Sequence, residues 1–259
     1  MPARYLLGTR IDGTTYAQAT QIILDWATQR EHRFVCTCGA HGIVEATEDP
    51  VFQGRLNESD LNVPDGIAAV WGLRGLGVPV PDRVYGPDLM LAICRAAAKA
   101  GVPIGLYGSS QDRLDALCER LPQKAPGLHI ACAISPPYRA LTPEEDVAYA
   151  EEIIASGAQI VFVGLGCPKQ ETWCAKQSPH IPAALVAVGA AFDFHAGMLD
   201  QAPTRLQKMG LEWAFRLVKE PKRLWRRYAK SVPLFMAGYL RQFARERIGG
   251  RPNGPGSTR

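Results

Sequence analysis

Short apolar segments alternate with amphipathic helical patterns along residues 104–188. Four of these segments have the length and composition of buried strands: 104–107, 128–134, 159–164 and 184–188. The stretches between them predict helices at 111–121, 143–156 and 168–177. Strands connected through a helix usually lie parallel, and a parallel sheet is covered on both faces. The alternation therefore predicts an α/β fold with a mostly parallel sheet and helices on both faces.

The N-terminal part of the chain shows the same alternation less regularly. We predict strands at 5–11, 33–37 and 61–63, and helices at 14–29, 40–47, 67–76 and 87–100. The last helix has a clear stop, because Gly101 and Pro103 follow it. A chain of 259 residues with 47% hydrophobic content can build one large core. Residues 1–204 are therefore assigned to a single α/β body.

Basic residues are concentrated near the C-terminus. Residues 205–259 hold 14 Lys or Arg and three acidic residues, a net charge of +11. The whole chain has a net charge of +4, so residues 1–204 have a net charge of −7. A positive segment on an acidic body favours an anionic partner, such as nucleic acid, phospholipid or a polyphosphate ligand. We predict a basic amphipathic appendage at 205–247 and a disordered tail at 248–259.

Two features bear on the compartment and on metal binding. The chain opens without an apolar signal segment, and no apolar run approaches the roughly 20 residues that cross a bilayer. Seven cysteines are scattered without a C-x-x-C pair of the zinc-binding kind. We therefore expect a cytoplasmic protein with reduced, buried cysteines and no metal site.

Three glycine-rich or polar loops should lie beyond the carboxyl ends of the strands, where ligands bind in such folds: GSSQD at 108–112, VGLGCPKQE at 163–171 and VGAAFDF at 188–194. The second loop has the strand-turn-helix context of a phosphate site. It lacks the dinucleotide fingerprint G-x-G-x-x-G, because Lys169 stands where the third glycine is required.

The loop at 163–171 has two interpretations. Lys169 and the free N–H groups of a helix N-terminus could bind a phosphate. Alternatively, Pro168 is simply the first helical residue and Glu171 favours the helix dipole. The local pattern leaves both open.

Asp65, in the stretch NVPDG at 62–66, also has two interpretations. Pro-Asp-Gly is ordinary turn chemistry. A carboxylate at the mouth of the sheet could instead act as a general base. Spacing alone does not decide between them.

The basic appendage should contain two helical pieces separated at Pro221. In the second piece, Arg223, Arg226, Arg227 and Lys230 share one face beside aromatic residues. Such a face is either simply solvated or contacts an anionic surface or ligand. The apolar run at 232–240 is too short to span a bilayer but suits a headgroup layer.

Five segments together carry a family resemblance: PDG at 64–66, RVYGPDLM at 83–90, FVGLGCPKQETW at 162–173, VGAAFDFHAG at 188–197 and APTRLQKMGLEWAFRLVKEPKRLWRRY at 202–228. In this order they closely resemble the WecG/TagA/CpsF glycosyltransferases, glycosyltransferase family 26, over about residues 6–235. The resemblance implies a Rossmann-like body and a C-terminal appendage that approaches the active site and the membrane. It also implies metal-independent, inverting transfer of a sugar from a UDP-sugar to a sugar on polyprenyl diphosphate in the cytoplasmic leaflet.

The resemblance assigns a role to each matching residue. Asp65 would be the general base, and the chain contains no Asp-x-Asp triplet of the kind that holds a metal in other sugar transferases. The predicted substrate-binding residues are Thr37, Arg83, Gly164, Gly166, Lys169, Gln170, Arg216, Arg223, Arg226 and Arg227. The arginines would stabilise the UDP leaving group, because a guanidinium binds two phosphate oxygens at once.

Some positions depart from the family pattern. Thr37-Cys38-Gly39 stands where members often have Thr-x-Asn, so a polar contact to substrate is missing or moved. Gln201 replaces an arginine, and His195 replaces an apolar residue. Among the other histidines, His41 lies near Thr37 in sequence.

The expected partners are a UDP-sugar, a polyprenyl-diphosphate-linked acceptor and anionic inner-leaflet lipid, without nucleic acid or a cofactor. The donor sugar, the pathway and homo-oligomer formation stay open. Two alternatives remain beside the transferase: a nucleotide-cofactor oxidoreductase, and a non-catalytic assembly subunit recruited to lipid by the basic tail.

Overall fold

A computed structural model describes residues 1–203, 205–206 and 210–249, except for the side chain of Arg223. Most of the disordered tail predicted at 248–259 lies outside the described residues. The same holds for residues 204 and 207–209, at the start of the predicted appendage.

The chain begins with an antiparallel hairpin of β1 (Ala3–Leu6) and β2 (Thr9–Asp12). The prediction of one strand at 5–11 is therefore wrong. Leu7 and Gly8 have positive φ angles of 53° and 86°, which reverse the chain in a two-residue turn. The hairpin lies outside the main sheet.

Six strands form the main sheet, in the spatial order β4-β3-β8-β7-β5-β6. They are β3 (Arg33–Cys38), β4 (Leu61–Pro64), β5 (Ile104–Tyr107), β6 (Ile130–Ile134), β7 (Ile160–Val163) and β8 (Ala184–Ala187). Every pairing within this sheet is parallel. The predicted α/β fold with a mostly parallel sheet is confirmed.

Helices connect the strands. They are α1 (Tyr16–Thr28), α2 (Ala40–Glu48), α3 (Pro50–Glu58), α4 (Ile67–Gly75), α5 (Gly86–Ala100), α6 (Gln111–Lys124), α7 (Pro143–Ser156), α8 (Lys169–Gln177), α9 (Ala191–His195), α10 (Glu212–Lys219) and α11 (Pro221–Gly249). Helix α3 was not predicted, although Asp49 caps it by accepting hydrogen bonds from the N–H groups of Val51 and Phe52. The short helix α9 was not predicted either.

Each face of the sheet has its own apolar core. Alternate residues along β7 point to opposite faces, so Val161 lies in one core and Phe162 in the other. The first core is covered by α2, α3, α4, α7 and α8, and the second by α1, α5, α6 and α9. Burial on both faces explains why the strands are continuous apolar runs rather than alternating ones.

The C-terminal helices pack back onto the body. Helix α10 ends at Lys219 and α11 begins at Pro221, where a break was predicted. Helix α11 inserts Phe235 into the first core, and its Gln242 side chain accepts a hydrogen bond from the N–H of Leu7. Within the described ranges, no helix is both long and apolar enough to cross a membrane.

Candidate active site

A cleft of about 1650 Å³ opens at the carboxyl ends of the parallel strands, and α10 and α11 form part of its wall. Nine of the predicted site residues line it: Thr37, Asp65, Arg83, Gly164, Gly166, Lys169, Gln170, Arg216 and Arg227. Arg226 lies elsewhere, exposed, with its guanidinium 5.5 Å from the centre of the Trp225 ring. The side chain of Arg223 lies outside the described part of the chain.

Asp65 occupies the corner between β4 and α4. Its N–H donates to the carbonyl of Cys38 at 3.0 Å, and Gly66 turns the chain into α4 with a φ of 103°. Burial raises the pKa of Asp65 to about 6, against the lowering effects of Arg83 and Arg216, while Glu212 raises it further. A carboxyl group that titrates near neutrality can accept a proton from an attacking hydroxyl.

Thr37 and Gly39, at the end of the neighbouring strand β3 and just after it, fix the position of this corner. A Cβ at Gly39 would lie 2.5 Å from the carbonyl oxygen of Asp65, so any side chain there would push the two backbones apart. The Thr37 hydroxyl donates to the carbonyl of Ala187 at 2.9 Å, which ties β3 to β8. The departure from the Thr-x-Asn pattern thus coincides with a close approach of Gly39 to Asp65.

A buried ion pair connects α10 to the body. The Arg83 guanidinium lies 2.5 Å from the Glu212 carboxylate and 4.4 Å from the centre of the Tyr85 ring. Arg216, one turn beyond Glu212, lies 5.5 Å from the centre of the Phe194 ring. Its Nε has no hydrogen-bond partner among the residues that the structure describes. The appendage therefore brings both an acid and a cation to the cleft.

The loop at 163–171 forms a tight turn rather than an open glycine cradle. A Cβ at Gly164 would lie 2.6 Å from the Phe192 ring, and Gly166 has a φ of 79°. The Gln170 amide is used inside the turn: its oxygen accepts from the Gly166 N–H at 3.1 Å, and its nitrogen donates to Glu171 at 3.0 Å. Helix α8 begins at Lys169, one residue after the predicted start at Pro168.

Lys169 faces the cleft from the first turn of α8. Its ammonium group lies 5.3 Å from the centre of the Tyr138 ring, which is fully exposed. A cation and an aromatic face at the mouth of the cleft are suited to an anionic or planar ligand.

Glu171 is a buried acid that the sequence analysis did not identify as a site residue. Only 3% of its surface is exposed, and burial raises its pKa to about 7. From the sequence, Glu171 was interpreted only as an acid that favours the helix dipole. The packing of α8 against β3 shows that its carboxyl group is enclosed at the wall of the cleft.

Two other features of the cleft were not predicted from the sequence. Arg113 pairs with Asp193 at 3.0 Å, and the rings of Tyr107 and Trp173 stack with their centres 4.2 Å apart. Asp193 belongs to the loop at 188–194, which was recognised as polar but given no role.

His41 also lines the cleft. Burial and the charge of Arg227 lower its pKa to about 4, so its imidazole is neutral at pH 7. Among the described residues, no group of three His, Cys, Asp or Glu side chains could hold a metal ion.

Comparisons with known proteins assign the chain to a family. The family model described as "Glycosyl transferase WecG/TagA/CpsF family" matches residues 4–249. The chain is also 28% identical over 250 residues to the N-acetylglucosaminyldiphosphoundecaprenol N-acetyl-beta-D-mannosaminyltransferase of Bacillus spizizenii. That match covers 96% of this chain and 93% of the relative.

Proposed function

The chain belongs to the WecG/TagA/CpsF family of glycosyltransferases, and from this premise we propose that it transfers a hexose-type sugar from a UDP-sugar to a sugar carried on polyprenyl diphosphate. The name of the Bacillus relative specifies an acceptor of this lipid-linked kind. The observation that carries the proposal is the convergence of Asp65, Arg83 and Arg216 on one cleft. The product would feed a cell-surface polysaccharide.

Asp65 acts as the general base in a single displacement. The acceptor hydroxyl oxygen attacks the anomeric carbon and gives its proton to the Asp65 carboxylate. The bond from that carbon to the UDP oxygen breaks, and UDP leaves with the electron pair. The attack comes from the face opposite the leaving group, so the anomeric configuration inverts.

Arginines stabilise the negative charge that develops on the leaving UDP. Preorganised cations and N–H groups lower the barrier most when they face the site where charge appears. Arg216 and Arg227 bring two guanidinium groups from the appendage into the cleft, and Lys169 adds an ammonium group from α8. Arg83 supports them by fixing α10 through Glu212. In this scheme no divalent ion is needed.

The appendage also docks the enzyme on the cytoplasmic face of the membrane. Helix α11 exposes Trp225, Leu240 and Ile248 together with basic residues such as Arg241 and Arg245. Each basic residue near an anionic leaflet contributes about 1 kcal/mol, so this helix supports reversible binding.

The test is a screen of UDP-sugars with a short-chain lipid-diphosphate sugar acceptor in EDTA. We expect one donor to give UDP together with an acceptor product that is heavier by one sugar and inverted at the anomeric carbon. Unchanged acceptor with every UDP-sugar, or a retained configuration, would contradict the proposal. Asp65→Asn is the matched negative control.

A further inference from the structure

One arm of the cleft is an apolar groove between α4 and α11. It is lined by Ile67, Trp71, Leu211, Val232, Met236 and Tyr239. Trp71, Val232 and Met236 keep 57%, 45% and 44% of their surface exposed although they face a shared groove. A contiguous exposed apolar surface of this kind marks a binding site more often than scattered apolar residues do.

The position of α11 fixes which of its residues face the groove. Phe235 is buried against the body, and successive residues of a helix are about 100° apart. Met236 and Val232 therefore lie on one side of Phe235, at about 100° and 60°, whereas Leu234 lies about 100° away on the other side. Leu234 is equally exposed but does not line the cleft.

The walls of the groove are held together beneath its open side. The Tyr239 hydroxyl donates to the carbonyl of Gly72 at 3.4 Å, and its ring stacks on Phe235 with the centres 6.2 Å apart. A Cβ at Gly75 would collide with the Tyr239 hydroxyl, so the two helices need glycine there to approach closely. The groove is therefore a built feature of the α4–α11 contact.

The groove begins at the proposed base. Helix α4 starts at Ile67, two residues after Asp65, and Trp71 is one helical turn further, about 6 Å along the axis. Arg216 and Arg227 line the same cleft. Because the groove and Asp65 share one cleft, an acceptor whose sugar hydroxyl lies at Asp65 can extend its hydrocarbon chain along the groove.

We propose that this groove binds the first isoprene units of the acceptor's polyprenyl chain. The inference rests on the proposed function and adds a chain-binding subsite to it. Trp71 on one wall and Val232 and Met236 on the other would cover the hydrocarbon next to the diphosphate. An acceptor that carries isoprene units next to its diphosphate would therefore be recognised better than one without them.

The test compares two acceptors with the same sugar and diphosphate, one carrying a farnesyl chain and one a methyl group, both below their aggregation concentrations. The readout is the ratio of kcat/KM for farnesyl over methyl. The variant Val232→Ser/Met236→Ser should lower this ratio about tenfold, because it removes apolar contact with the chain alone. Leu234→Ser is the matched control and should keep the wild-type ratio.

Three results would overturn the inference. One is a wild-type ratio near unity. A second is an unchanged ratio in Val232→Ser/Met236→Ser. The third is an equal fall in Leu234→Ser, which would indicate general lipid contact along α11. If wild type uses neither acceptor with any UDP-sugar, the proposed function itself fails, and the groove inference falls with it.

Discussion

Replacing Asp65 with Asn should abolish turnover and at the same time stabilise the fold at neutral pH. The amide removes the proton acceptor, and general-base catalysis contributes about 10²–10⁴-fold, so UDP release should fall at least a hundredfold. Stability changes in the opposite direction, because the native environment disfavours the carboxylate. Burial raises the pKa of Asp65 from its ordinary value of 3.8 to about 6. That difference in pKa corresponds to about 3 kcal/mol between the two protonation states.

The sign of the effect follows from proton linkage. Between pH 4 and 6 the folded protein binds a proton at Asp65 that the unfolded chain has lost, so wild-type stability falls as pH rises through this range. Asp65→Asn mimics the protonated state and avoids this loss. It should match wild type near pH 4 and exceed it by up to about 3 kcal/mol at pH 8.

Urea unfolding of both proteins from pH 4 to 8 measures this difference. Asp193→Asn is the control, because Asp193 also lines the cleft but pairs with Arg113 at 3.0 Å, and its amide should give no gain. A constant difference between Asp65→Asn and wild type across this range would refute the reasoning about burial. Wild-type turnover by Asp65→Asn would remove Asp65 from the mechanism.

Three further predictions concern the surroundings of Asp65. The kcat/KM of wild type should fall below about pH 6, because protonated Asp65 cannot act as a base; a pH profile without a limb between 5 and 7 would contradict this. Glu212→Gln removes a charge that raises the pKa of Asp65, so it should move this limb to lower pH; because it also replaces the carboxylate that pairs with Arg83 by a neutral amide, it should lower the free energy of unfolding in urea by about 1–3 kcal/mol. Gly39→Ala places a Cβ against the Asp65 carbonyl, and we expect about 1–3 kcal/mol lower stability and a kcat reduced about a hundredfold; an unchanged kcat would show that the corner tolerates movement.

The regular part of the fold could be predicted from the sequence because its signals are strong. Strand β7 is a run of apolar residues buried on both faces, and α7 has a proline in its first turn and a capping box from Thr142. The hairpin of β1 and β2 could not be predicted, because the reversal at Leu7 and Gly8 depends on two positive φ angles within a strand-like run. Helix α3 was missed because it buries only Phe52 and Leu56 and has a weak periodic pattern.

The candidate site was predictable where topology alone brings residues together. Asp65 follows β4 and Gly164 follows β7, and because both strands belong to one parallel sheet, both residues lie at its carboxyl edge. The pairing of Arg83 with Glu212 was not predictable, because the two residues lie on elements whose contact depends on how α10 docks. The enclosure of Glu171 likewise depends on tertiary packing, since its position in the sequence looks like an ordinary helix start.

The most direct measurement is the initial rate of UDP release in EDTA, with and without a polyprenyl-diphosphate-linked sugar, for the UDP-sugar that the screen identifies. The account predicts that release depends on the acceptor, proceeds undiminished in the chelator and disappears in Asp65→Asn. Release that needs added magnesium or manganese, or that is equally fast without acceptor, would contradict direct sugar transfer with arginine-stabilised departure of UDP.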